Sequence, residues 1–125
     1  MTDKELLDLA AKAVGLTPAA DSDQEWVDDG QGGVTGPFEW KDAEGGELLY
    51  HWNPLTDDGD ALRLSVALLM ELDHNHPADP RPWVSVGIPG TRHCVVEDFD
   101  DECQRLAATR TAITSVAAAI GEQMP

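Results

Sequence analysis

The sequence predicts an α+β fold: an antiparallel sheet of about four strands carrying three helices, in the order α-ββ-α-ββ-α. Three observations point there. Apolar residues recur at helical spacing in three separated segments, near the start, in the middle and at the end of the chain. Between these segments lie two pairs of short β-prone runs, each pair joined by a glycine-bearing link. The connections are short, which favours antiparallel neighbours, and a sheet with helices packed on it buries all of these apolar faces together. A length of 125 residues and a hydrophobic content of 42% fit a single domain, 1–125, with one core.

The first helix opens on a capping box, Thr2-Asp3-Lys4-Glu5: the Thr2 hydroxyl accepts from the third helical amide, and Glu5 reaches back to the Thr2 amide. Leu6, Leu9, Ala10 and Ala13 follow at helical spacing, Gly15 is a left-handed stop, and Pro18 lies just beyond. Residues 17–36 have no clear period. Asp21, Asp23, Glu25, Asp28 and Asp29 cluster there, and like charges resist packing, so the stretch reads as a solvated loop with Trp26 and Val27 as a short strand. In 37–40 Phe38 and Trp40 share one face, and in 48–52 Leu48, Tyr50 and Trp52 do; Gly45-Gly46 between them supplies the positive dihedral angles of a hairpin.

The segment HWNPLTDDGDALRL (51–64) turns the second strand into the middle helix. Pro54 sets the approach, Thr56, Asp57 or Asp58 caps the bare amides, and the other carboxylates suit the positive end of the helix dipole. A calcium loop built on Gly59 would need Pro54 and Thr56 as ligands and Ser65 in place of the closing glutamate, so that pattern fails. Leu62, Val66 and Leu69, flanked by Leu64 and Leu68, predict a well-buried helix ending near Leu72. The prolines and histidines of 73–82 read as a loop. PWVSVGIP (82–89) alternates, with Trp83, Ser85 and Gly87 opposite Val84, Val86 and Ile88, and pairs with HCVVEDF (93–99) as a second hairpin. The last helix starts near Asp100, where Asp98, Asp100, Asp101 and Glu102 suit its positive end. Cys103, Leu106, Arg110, Ile113, Ala117 and Ile120 then follow a 3-4 repeat, Ala107 and Ala117–Ala119 permit close approach, and Gly121 marks the stop.

A formal charge of −16, from 24 acidic against 8 basic side chains, argues against binding nucleic acid through its phosphates, which requires lysine and arginine. The same charge permits docking on basic, nucleic-acid-binding proteins. Cys94 and Cys103 are too few for a disulfide framework and read as buried free thiols. Asp73, His74, His76 and Asp79, with His93 joining through the fold, are the most ligand-like cluster, yet zinc wants three or four ligands at about 2.0–2.3 Å, and the segment reads as an exposed polar loop. His93 and Cys94 are strand neighbours on opposite faces and make no catalytic pair. No nucleophile elbow, phosphate-binding glycine loop or HExxH motif is present. The expectation is a protein that is no enzyme, with no cofactor and no metal. No apolar run approaches membrane length and no basic leader precedes the first helix, which predicts a cytosolic protein without a membrane span.

Trp52-Asn53-Pro54-Leu55, Asp57-Asp58-Gly59-Asp60-Ala61 and Arg63 resemble a segment recurring in small proteins of tailed phages and prophages, the phage alpha-beta-alpha sandwich domain family. Ala108-Thr109-Arg110, Ala112-Ile113, Ala117 to Gly121 and Met124-Pro125 are similar to that family's closing helix, and LLDLAAKAVG (6–15) to its first. Ser115 stands where members often carry arginine, which makes this copy more acidic. The likeness covers about 70 residues and implies a fold and an origin, with no catalytic residues to transfer. Origin and charge together predict a phage or prophage interaction protein of the host bacterial cytoplasm, a nucleic-acid mimic of anti-CRISPR or anti-restriction type whose partner is a basic, nucleic-acid-binding host effector. Its contact residues are expected in two acidic patches, Asp21, Asp23, Glu25, Asp28 and Asp29 with Trp26 as exposed aromatic anchor, and Asp98, Asp100, Asp101 and Glu102. The alternatives are a metal-binding or hydrolytic protein using His74, His76 and His93, and a structural or regulatory phage accessory protein.

Overall fold

A computed structural model of the chain describes residues 2–18, 27–28, 34–35, 39–42, 48–50 and 52–125, with side chains at 2–16 and 52–125. The chain order is α1 (Asp3–Ala13), β1 (Leu16–Pro18), β2 (Val27–Asp28), β3 (Val34–Thr35), β4 (Glu39–Asp42), β5 (Leu48–Tyr50), α2 (Asp58–Ala67), β6 (Glu71–His74), β7 (Trp83–Gly87), β8 (Cys94–Asp98), a 3-10 turn (Glu102–Gln104) and α3 (Arg105–Gln123). The class is α+β, with three helices and a three-stranded antiparallel sheet ordered β6–β7–β8. Among the described residues the other strands stand apart from that sheet, β1–β4–β5 as one antiparallel group and β2–β3 as another, instead of merging into one sheet of about four strands. Both expected hairpin pairings form: Trp40 lies opposite Leu49, and Val84 opposite Glu97.

Helix α3 is the middle of the structure. It packs on α1, on α2 and on the inner face of β7 and β8, and it buries Ala112, Ile113, Thr114, Val116, Ala117 and Ala118. A helix buried on several sides needs small residues where its neighbours come closest, and the alanines provide them. Gly121 is therefore no stop signal: α3 continues to Gln123, and a Cβ at Gly121 would overlap the Leu9 carbonyl oxygen of α1. The Thr2–Glu5 capping box forms, and Gly15 adopts φ +74° after the last turn. The stripe that α1 buries is Leu7, Ala10 and Ala11, one residue round from the expected Leu6–Leu9–Ala10–Ala13.

Helix α2 departs most from expectation. Leu62, Val66 and Leu69 are 63%, 64% and 78% exposed, and the buried side carries Asp60, Ala61, Leu64 and Ser65. The reason lies in the corner before it. Asp57 caps the helix by accepting from the Asp60 amide at 2.8 Å. The Asp60 carboxylate accepts the Asn53 amide at 2.9 Å and pairs with Arg63 at 2.7 Å. Arg110 of α3 donates to the Leu55 carbonyl at 2.9 Å and to Asp58 at 2.6 Å. These bonds rotate the Asp60 side inward, and the short Ala61 lets α2 approach α3; apolar content alone did not specify which side turns in. Trp52 is buried at this corner and lines a small cavity with Val14, Leu16 and Leu64 of α2.

Two further corrections concern 71–103. Residues 71–74, expected as the end of the middle helix and the start of a loop, form strand β6 after α2 ends at Ala67, pairing with β7 from Glu71↔Gly87 to His74↔Val84. The alternation that marks it spans four residues between a helix and a proline-rich turn, too short to stand out. Both cysteines are exposed and not buried, because Cys94 falls on the outward parity of β8 and Cys103 lies in the solvated turn before α3.

Candidate binding face on the sheet

The sheet has two unlike faces. Inward, Val84 and Val86 are fully buried, with Leu72 and Val95 packed beside them. Alternation places every second residue on the other side. The register sets these outward residues in rows: Trp83 opposite Asp98; Asp73, Ser85 and Val96 across the three strands; and Glu71, Gly87 and Cys94 across the next. The middle column, Trp83, Ser85 and Gly87, shrinks along the strand. The outer strands carry larger side chains, so the face is a trough floored by Ser85 and Gly87. The indole of Trp83 stands at one end. An open concavity of about 520 Å³ lies over Asp73, His74, Trp83, Ser85, Val96 and Asp98, and a second of about 240 Å³ continues past Gly87 to the turn of Ile88–Thr91.

The electrostatics of this face are one-sided. Its eight outward positions hold three carboxylates, Glu71, Asp73 and Asp98, and no lysine or arginine. None of the three carboxylates makes a hydrogen bond or ion pair with any described residue. The nearby arginines are engaged elsewhere or stand off the face: Arg81 pairs with Asp100 at 3.5 Å, Arg92 lies in the turn beyond the sheet, and Arg105 points behind it. Val96 is 57% exposed beside the carboxylates, so the trough has an apolar wall as well. Across its floor the Ser85 hydroxyl and the Cys94 thiol are 3.5 Å apart.

Arg105 braces the Trp83 end from behind. Its guanidinium donates to both Glu102 oxygens at 2.8 and 2.7 Å, to Asn75 Oδ1 at 2.6 Å, to His74 Nδ1 at 2.9 Å and to the Trp83 carbonyl at 3.3 Å. It also lies 4.8 Å from the centre of the Phe99 ring. The Asn75 amide donates to the Trp83 carbonyl at 3.1 Å, which extends the β6–β7 ladder by one residue, and the Asn75 side-chain Oδ1 accepts the Trp83 amide at 3.2 Å. The hydrogen bond from Arg105 holds the Glu102 carboxyl below the usual carboxylate range, and the bond to Asp101, with its charge, pushes the Cys103 thiol up. This node ties β6, β7 and the start of α3 together with bonds to a charged group, which are the strong class.

The expected site residues are distributed as follows. Asp21, Asp23, Glu25, Trp26 and Asp29 lie outside the described residues, and Asp28 enters only through its backbone in β2. In the second patch, Asp101 caps the turn before α3 by accepting from the Cys103 amide at 3.1 Å, and Glu102 is committed to Arg105. Asp98 and Asp100 remain outward, Asp98 on the trough and Asp100 beside Arg81. The histidines do not converge: His74 meets Arg105, His76 Nδ1 accepts the Ala78 amide at 3.1 Å, and His93 stands at the far turn. Among the described residues no three of His, Cys, Asp and Glu are grouped to hold a metal ion, and no helix is long and apolar enough to cross a membrane. Sequence reasoning missed Asp73 and Val96 as surface neighbours of Trp83, and Glu71 as part of the same face. The alternation of 82–89 placed Trp83, Ser85 and Gly87 on one face, but their neighbours depend on a register with β6 that only folding supplies.

No protein-family model, curated protein or solved structure matches the chain.

Proposed function

We propose that this chain is an acidic interaction protein that docks the outer face of its β6–β7–β8 sheet on a basic protein surface and acts by occupying it, without turnover. The observation that carries this reading is the arrangement of Asp73 and Asp98 beside Trp83, with Glu71 further along the same open face, and no lysine or arginine among its outward residues. An indole beside unneutralised carboxylates provides apolar contact area and a field that attracts cations, the combination found at anchoring positions of protein interfaces. With a formal charge of −16 the whole molecule steers toward positive surfaces, and these are concentrated on nucleic-acid-binding proteins. The narrower form of the proposal is an inhibitor of a bacterial nucleic-acid-binding defence complex, acting in the host cytoplasm. The likeness of Trp52–Arg63 to the phage alpha-beta-alpha sandwich domain proteins supports a phage or prophage origin.

The test is affinity capture from bacterial lysate with the full chain and with an Asp73→Asn/Asp98→Asn variant of unchanged circular dichroism, each over a series of salt concentrations. Wild type captures basic nucleic-acid-binding proteins, binding weakens as salt rises, and the captured effector loses its own nucleic-acid ligand. Capture that is indifferent to salt, or equal for the variant, contradicts the reading.

A further inference from the structure

Resting on that docking reading, the geometry points to the trough along β7 as a seat for one arginine side chain of the partner, with its guanidinium on the Trp83 indole between Asp73 and Asp98. The width fits. Neighbouring strands lie about 4.8 Å apart, so the walls contributed by β6 and β8 stand about 10 Å from one another, room for a single side chain in contact with both. The length fits as well. From Gly87 past Ser85 to Trp83 is four residue steps along an extended strand, about 13 Å. That accommodates the aliphatic stem and head of a long side chain.

The lining sorts along this line in the way an arginine does. Gly87 and Ser85 present little above the backbone, and Val96 offers an exposed apolar wall for methylene groups. At the Trp83 end the indole gives a π face, with Asp98 directly opposite it on β8 and Asp73 one row along on β6, opposite Ser85. A planar guanidinium stacks on an aromatic face and still points donors in its own plane toward carboxylates on either side. A lysine ammonium is compact, more strongly hydrated and without a plane to stack. Arg105 holds the Trp83 backbone from behind through its carbonyl, so the strand position that carries the indole is fixed before a ligand arrives. The extent of preorganisation matters because ordering side chains on binding subtracts from affinity.

The test uses the full chain and two acetylated, amidated peptides of equal charge, one alternating arginine with glycine and one alternating lysine with glycine. In a nuclear magnetic resonance titration of wild type, the Trp83 indole N–H resonance shifts on adding the arginine peptide while that of buried Trp52 stays in place. Calorimetry gives a dissociation constant about threefold tighter for arginine than for lysine. Ser85→Leu, which fills the floor, and Asp73→Asn/Asp98→Asn, which removes the flanking charges, each weaken the arginine peptide about tenfold. A Trp83 resonance that does not move, equal affinity for the two peptides, or Ser85→Leu binding as wild type does overturns the seat. If in those cases the captured basic protein still depends on Asp73 and Asp98, the docking reading survives alone. If wild type binds neither peptide nor any basic protein, both fail.

Discussion

Replacing Gly121 by alanine tests the central packing of the molecule. A Cβ at this position would overlap the Leu9 carbonyl oxygen and come within 2.8 Å of the Leu9 carbonyl carbon and 3.3 Å of its Cα. All three atoms are backbone of α1, so no side chain can swing aside; α1 must move as a body away from α3. Overpacking of this kind costs about 1–3 kcal/mol, and the rigid neighbour places this case near the upper figure. Alanine returns about 1 kcal/mol because it loses less backbone entropy than glycine in a helix interior. The net expectation is a loss of about 2 kcal/mol, or a fall of roughly 8 °C in Tm for a chain of this size. Gly59→Ala is the control. Its Cβ would meet only side-chain ends, the Asp57 carboxylate at 3.2 Å, which also caps the helix, and the Arg63 guanidinium at 3.3 Å, and each need give by only a few tenths of an ångström. It is expected to stabilise by about 0.5 kcal/mol. The assay is thermal and urea unfolding followed by circular dichroism at 222 nm, the helical band, on both variants and wild type. A Gly121→Ala protein as stable as wild type would refute the close contact of α1 with α3 and the packing argument built on it.

Three other outcomes follow from local geometry. Asp57→Ala removes the acceptor for the Asp60 amide and should cost about 1 kcal/mol in urea unfolding, since the bare amide is left at the helix end. Leu69→Gly should stabilise by about 0.5 kcal/mol in the same assay. Leu69 holds φ +54° while 78% exposed, a conformation that costs about 1–2 kcal/mol for an L side chain, and the greater freedom of glycine in the unfolded chain takes back part of the gain. The Glu102 carboxyl should titrate below the usual glutamate range in a carbon-detected titration. A carboxyl lowered in the folded state stabilises fully above its unfolded value, and that stabilisation is lost as pH falls through the lowered one. The stability difference between wild type and Glu102→Gln should therefore shrink on acidification, and a difference that grows would contradict the Arg105–Glu102 pairing.

The parts of the fold legible in the chain are those decided by local chemistry. Thr2 and Glu5 form their capping box, Gly15 ends α1 with a positive φ, and the alternation of 83–87 places Val84 and Val86 inward. Each depends on residues within a turn or strand of one another. The candidate face was half legible: alternation set Trp83, Ser85 and Gly87 side by side, and composition made the molecule acidic. What joined Trp83 to Asp73 and Asp98 was the register of β7 with two other strands, and register is settled when the inner face finds the core. The orientation of α2 is the plainest case of a decision made by tertiary structure. Leu62, Val66 and Leu69 form as good an apolar stripe as the one that is buried. The bonds from Asn53 to Asp60 and from Arg110 to Leu55 and Asp58 join the helix and the corner before it to residues 7 to 55 positions away, and they select the other side. Sequence by itself determined where α1 and α2 begin and where β7 and β8 lie, because caps, turns and periodicity act over a few residues. Only the tertiary structure decided which faces are hidden and which carboxylates share a surface, because those depend on bonds between distant segments that no local pattern encodes.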